Sequence, residues 1–315
     1  MSMLLEESAV GPTPDASRHL IRTALRHHKS GLIGLGIILF FIVIALAAPV
    51  LMPYSPTVQS CAVFAPPSAA HWFGCDDGGI DLLSEIMLGG RISLLIGFAA
   101  TLVSMVIGGG VGMLSGYFGR WVDIVLMRIT DYLLVIPPLA FALVVADVWG
   151  PSVVHVIFVI GILQWAPTAR IIRAQVMTVK ERVYVKRVRA MGASDTRIIA
   201  RHVLPQVAPL LVANTVLTVA VAIYLETTLA FLGLEDPSSV TWGTILQHAF
   251  DRAAVSAGAW WTIVPDGIAI SLLIMGCFLL GRAIEDALNP RLRVGHLSTR
   301  RWKLRPLVGR GPDAI

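Results

Sequence analysis

Charge is what this chain has least of. Only 14% of its 315 residues are Asp, Glu, Lys or Arg, while 56% are apolar; soluble domains carry about 25% charged residues, which excludes an ordinary soluble fold. Of its four lysines, Lys29, Lys180, Lys186 and Lys303, none follows a glycine, so the loop that cradles the phosphates of ATP is missing. No histidine precedes a glutamate, and Cys61, Cys75 and Cys277 lack the spacing of a metal site. Zinc hydrolysis and a resident metal are therefore not expected, and no catalytic residues are assigned. The net charge of +5 comes without a nucleic-acid recognition motif, and no internal repeat is present.

What the chain does have is apolar length. Six runs, Gly31–Met52, Ile92–Tyr117, Val122–Val148, Ser152–Ala169, Val207–Leu234 and Ile263–Gly281, approach or exceed the roughly 20 residues a spanning helix needs. The fold class is all-α, a polytopic membrane protein with six transmembrane helices. Ala45-Leu46-Ala47 imitates a signal-peptidase site, but the run around it is longer than a signal core and its lead is long, which favours an uncleaved anchor. With the N-terminus inside, 23 of the 25 Lys and Arg fall on inner segments, leaving Arg91 and Arg252 outside; the reversed topology inverts that bias. Both termini are thus expected in the cytoplasm. The division is 1–30 a cytoplasmic segment, 31–52 the first span, 53–90 an extracytoplasmic loop, 91–286 a transmembrane core of spans two to six, and 287–315 a basic cytoplasmic tail.

The longest charged interval between two spans is Val179–Pro205, which carries Lys180, Arg182, Lys186, Arg187, Arg189, Arg197 and Arg201. Tyr184, Val188 and Met191 recur at helical spacing as one narrow apolar stripe. Gly192 suits a helix C-cap, and Ser194 with Asp195 opens a second helix that is expected to stop before Pro205. A helix, a tight turn and a helix are held between two membrane anchors.

The words RAMGASDTRIIARHVLPQ, Arg189–Gln206, resemble the type I importer permeases of ABC transporters, in the dipeptide, oligopeptide and nickel branch and its "C" subunits. The family's Gly is Gly192 and its Leu-Pro is Leu204-Pro205; Lys186, Arg187 and Val188 stand where the family has Glu, Ala and Ala. HWFGCDDGGIDLLSEIMLGGRISLLIG from His71, and LETTLAFLGL from Leu225, extend the likeness, with Cys75, Ile80 and Glu85 in place of Thr, Arg and Arg. The resemblance implies the type I importer fold, with this chain forming half of a pore. Its ATPase-coupling residues are then Lys186, Arg187, Arg189, Ala190, Gly192, Ala193, Ser194, Asp195, Leu204 and Pro205. It implies a second homologous permease subunit, two ABC ATPase domains that hold ATP and Mg, and an extracytoplasmic substrate-binding protein, in a bacterial inner membrane, with no cofactor in this chain. Dipeptides or oligopeptides lead as cargo, with nickel chelate, glutathione and haem open. A proton-coupled secondary carrier is the rival of a different class.

Several features carry more than one reading. Gly108, Gly112 and Gly116 have the spacing for close helix packing. Leu114-Ser115-Gly116 imitates an ABC ATPase signature but lies in a span. Pro137-Pro138 should kink or break the third span. Asp131 and Glu226 are intramembrane carboxylates, costly unless they face the protein interior; Asp131 has Arg128 three residues earlier as an ion-pair partner or serves the pathway, and Glu226, without a local partner, is a pathway or gate candidate. Trp242-Gly243 belongs to a loop that the family folds into a short outer helix, and Trp260-Trp261 suit the interface with lipid headgroups. Cys61 and Cys75 share the outer loop, where disulfides persist, and either pair or remain separate thiols; Cys277 lies alone in the sixth span.

Overall fold

The computed structural model describes residues 29–288; the basic lead and the tail from residue 289 lie outside them. Every regular element among the described residues is helical, apart from a single bridge between Cys75 and Asp81. Five helical stretches are long and apolar enough to cross a membrane: Lys29–Leu51, Leu82–Phe118, Val153–Lys180, Asp195–Phe231 and Trp260–Leu288. A bent pair, Arg120–Val135 and Pro138–Trp149, makes the count six if taken as one span.

In chain order the helices are α1 Lys29–Leu51, α2 Leu82–Phe118, α3 Arg120–Val135, α4 Pro138–Trp149, α5 Val153–Lys180, α6 Val183–Ala190, α7 Asp195–Ile198, α8 Leu204–Phe231, α9 Trp242–Asp251 and α10 Val264–Leu288. The expected third span is broken rather than bent: α3 and α4 meet at 87°. Proline forces the residue before it out of the helical region, and Ile136 is accordingly extended, with ψ 125°.

Three expected boundaries move, each for a local reason. The second span begins at Leu82, ten residues before the apolar run at Ile92. Asp81 caps it, accepting from the Ser84 N–H at 3.0 Å, and the polar-looking Ser84, Glu85, Gly89 and Gly90 are buried in the protein instead of lying in a loop. α5 runs on past Ala169 to Lys180, because Arg170 and Arg173 find carboxylates on α3. The second helix of the charged interval does not stop before Pro205. A π-helical turn, Ile199–Val203, joins α7 to α8, and Pro205 sits in the first turn of α8, directly after it.

Close helix contact sets the core. A Cβ on Gly108 would meet the Trp165 carbonyl oxygen at 2.5 Å, and one on Gly112 the Ala169 oxygen at 2.6 Å. The small-residue stripe of α2 therefore lets the α5 backbone approach, and Gly34 of α1 does the same against Gly276 of α10. One buried cluster joins α1, α2, α8, α9 and α10 around Trp242 and Leu273. A second gathers Met113, Tyr117, Ile172, Val176, Val179, Val185, Ile198, Val203 and Val207 at the opposite end, beneath the charged loop.

Candidate functional site: the charged loop and its clamp

The charged interval folds as two arms on a buried foot. α6 ends in a Schellman turn: the Gly192 N–H donates to the Arg189 carbonyl at 3.0 Å and the Ala193 N–H to that of Val188 at 3.4 Å. Gly192 has φ +83° and nothing within 4 Å of where a Cβ would stand. It is required for conformation, not for space. Ser194 precedes α7 in an extended conformation but makes no side-chain cap. Tyr184 and Val188 pack on the foot as the stripe predicts. Met191 does not, at 77% exposed, because it lies past the last turn of α6. Val185 takes the buried place instead.

The Tyr117 side chain of α2 clamps both arms, and Lys180 at the end of α5 braces the end of α2. The Tyr117 hydroxyl donates to Asp195 Oδ1 at 2.6 Å, at the start of the second arm. The face of the same ring carries the Arg189 guanidinium of the first arm, 5.2 Å from its centroid. Lys180 Nζ donates to the carbonyls of Gly116 at 2.7 Å and Tyr117 at 3.4 Å, a cation on the negative end of α2. Tyr117 and Lys180 escaped the sequence reading. Tyr117 looked like the end of an apolar run, and only the fold brings it under residues 72 and 78 positions later.

The other residues expected to couple are mostly exposed. Lys186 pairs in solution with Glu181 at 2.8 Å and holds that carboxyl below its ordinary range by hydrogen bond and charge. Arg187, Ala190 and Leu204 are exposed, while Ala193 and Pro205 are half-buried.

The intramembrane acids separate. Asp131 takes its partner from another helix: Arg170 of α5 donates to Asp131 Oδ1 at 2.5 Å, and Arg128 is exposed. The expected pair within α3 is thus replaced, since α5 runs alongside and presents a guanidinium across the helix contact. Both partners are about half exposed, at 53% and 50%, so the pair stands on the surface of this chain. Nearby, Arg173 binds Asp123 through two bonds of 2.5 and 2.6 Å, and Ser115, from the signature-like triplet, donates to the same carboxylate.

Glu226 is fully buried in the chain. Ser93 Oγ donates to its Oε1 at 2.9 Å and Thr227 Oγ1 to its Oε2 at 3.2 Å. Ser93 in turn accepts from the Trp242 N–H at 3.2 Å, and the Trp242 indole donates to the Ile86 carbonyl at 3.0 Å. The acid thus links α8, through α2, to the start of α9, the short helix that the resemblance implies for this loop. One partner, Thr227, is its neighbour in sequence, while Ser93 lies 133 residues away.

At the same end, Cys61 and Cys75 are joined, with Cα atoms 6.5 Å apart, inside the usual span for a bridge. His71 Nδ1 lies 2.9 Å from Asp81 Oδ1, and a ligand atom of His71 comes within 4.8 Å of both cysteines; bonded sulfurs present no thiolate to a metal. Cys277 is free and buried in α10. The tryptophan pair divides: Trp260 is 58% exposed, while the Trp261 indole donates inward to the Cys75 carbonyl at 3.3 Å.

Long apolar helices, close-packed through small residues and joined by a clamped, charged helical hairpin, define a multi-pass membrane protein. Residues 108–294 match the family described as binding-protein-dependent transport system inner membrane component, and residues 18–67 match the N-terminal transmembrane domain of oligopeptide transport permease C. The chain is 34% identical over 290 residues to the dipeptide transport system permease protein DppC of Alkalihalophilus pseudofirmus, covering 91% of this chain and 92% of that one. It is 35% identical over 283 residues to DppC of Bacillus subtilis, covering 89% and 86%. The chain belongs to the binding-protein-dependent transport system inner membrane component family.

Proposed function

We propose that this chain is the permease subunit of an ATP-driven importer of dipeptides or oligopeptides, lying in a bacterial inner membrane with both termini in the cytoplasm. It forms half of a pore with a second homologous permease. Two ATPase domains, which hold the ATP and Mg, grip the 179–205 loop, and an extracytoplasmic binding protein delivers the cargo at the opposite end. The names of its relatives support the peptide class. The half-exposed Asp131–Arg170 pair belongs to the pore side, where a charged pair meets water or the second subunit instead of lipid.

The observation that carries the coupling role is the clamp. An arm that transmits force has to move with the spans; Tyr117 ties both arms to the end of α2, and Lys180 ties the end of α5 to the same place. Gly192→Val, which forces a β-branched residue to positive φ, is expected to abolish peptide uptake while the subunit stays inserted and abundant. Pro205→Ala, at the junction with α8, is expected to weaken uptake in the same way. Uptake of a labelled dipeptide by cells carrying each variant, beside quantification of the subunit in membranes, measures this. Full uptake by Gly192→Val at normal abundance overturns the lever.

A further inference from the structure

The 179–205 loop carries more positive charge than its own fold uses. Seven Lys and Arg stand against two carboxylates, Glu181 and Asp195. Lys180 is consumed by the α2 carbonyls, Arg189 lies over Tyr117, and Lys186 pairs with Glu181. Asp195 is taken by the Tyr117 hydroxyl. Arg187, Arg197 and Arg201 are exposed and form no ion pair among the described residues. Apolar side chains turn outward on the same hairpin: Met191 is 77% exposed and Val183 65%. Neither belongs to the buried cluster beneath the loop. The clamp holds this surface in one shape before any partner arrives, which lowers the ordering cost of binding.

Exposed apolar side chains and unpaired cations on one hairpin are the complement of an acidic groove with an apolar floor. We infer that the ATPase partner receives this loop in a groove whose rim carries Asp or Glu opposite Arg187, Arg197 and Arg201, with Met191 seated at its floor. The inference rests on the coupling role proposed above and adds the charge of the receiving surface. Because that charge is fixed, an ATPase with a basic rim is rejected by like-charge repulsion, so the loop selects its own motor.

The test uses the permease pair in nanodiscs of phosphatidylcholine alone, with purified cognate ATPase titrated at low and high salt. Charge reversal at Arg187→Glu with Arg197→Glu is expected to weaken ATPase binding about tenfold or more and to flatten its salt dependence. Lys replacements of the groove carboxylates on the ATPase should restore the reversed permease. Equal affinity of native and reversed loops, or salt-indifferent native binding, overturns the inference. So does native ATPase binding that needs phosphatidylglycerol while the reversed loop binds equally well without it, because the cations then serve the lipid surface. Thermal unfolding of the reversed variant in the same nanodiscs checks that the loop is folded; if it is not, Arg187→Gln with Arg197→Gln is titrated instead, with the weakening and the flattened salt slope expected to be smaller but of the same sign. Separately, a Met191→Cys permease is cross-linked to the ATPase. Absence of that cross-link overturns the docking reading itself, whereas a cross-link with charge-indifferent affinity removes only the acidic groove.

Discussion

The two ends of this helix bundle partner their carboxylates differently. At the loop end three carboxylates meet a cation or a hydroxyl: Asp123 has Arg173 and Ser115, Asp195 has Tyr117, and Glu181 has Lys186. At the cysteine end Asp81 is bonded by Ser84 and His71, but three buried acids have few donors. Glu226 relies on two hydroxyls, Glu235 has one oxygen bonded by Thr241 and one without a partner, and both oxygens of Asp266 lack partners among the described residues. A paired network fixes one geometry. Buried acids without counter-charges keep a region sensitive to small changes. On the proposed function, the difference suits a loop end that couples to the ATPases and an opposite end that receives cargo.

The comparison breaks most visibly at Glu226. Truncation by Glu226→Ala leaves the Ser93 hydroxyl without its acceptor and opens a cavity beside α9, for an expected loss of about 3 kcal/mol or more. Glu226→Gln keeps an acceptor for Ser93 and should retain most of the stability. Denaturant unfolding of the detergent-solubilised subunit compares the two; equal behaviour of both variants denies the Ser93 link its structural weight.

Next comes the cysteine bridge, which closes a loop with a sequence separation of 14. In the chain-entropy description a loop of that size contributes ~3 kcal/mol. Cys61→Ser is therefore expected to loosen residues 53–81 without touching the charged loop. Peptide mapping without reductant should recover Cys61 linked to Cys75, and rapid alkylation of both by an impermeant maleimide on intact cells refutes the bond.

At the loop end, Tyr117→Phe removes one hydrogen bond to a charged group, worth about 1.5–3 kcal/mol, yet keeps the ring under Arg189. Its stability cost is modest. Its effect on coupling is expected to be larger: ATP hydrolysis should continue while uptake per ATP falls, and Tyr117→Leu, which also removes the ring face, should fall further. A constant ratio of uptake to hydrolysis in both variants denies Tyr117 its positioning role.

The smallest expected effect is that of pH on the α9 segment. Burial pushes the Glu235 carboxyl up to about 7, against the Thr241 hydrogen bond and with Asp236 beside it. An acid that holds its proton more tightly when folded stabilises fully below its unfolded range, and that stability declines as pH rises toward about 7. Hydrogen exchange over residues 232–251, corrected for intrinsic rates, should lose protection between mildly acidic and mildly alkaline pH, by on the order of tenfold. Glu235→Gln should remove the dependence.

Much of this molecule is legible in one dimension. Apolar length sets the spans, because lipid admits only backbones that bond to themselves. Positive φ at Gly192 follows from where a helix needs its cap. The glycine stripe of α2 announces a close neighbour, though not that the neighbour is α5. What sequence spacing does not carry is partnership across the fold. Arg128 stood three residues from Asp131, yet Arg170, 39 residues away, holds it. Ser93 lies 133 residues from Glu226, and Tyr117 lies 78 from Asp195. Pro205 looked like a stop, but the π-helical turn before it let the helix continue into α8. Local rules describe which conformations a residue tolerates, and these the sequence determined. Which charge meets which depends on how helices of nearly equal apolarity pack side by side, and only the tertiary structure decided that.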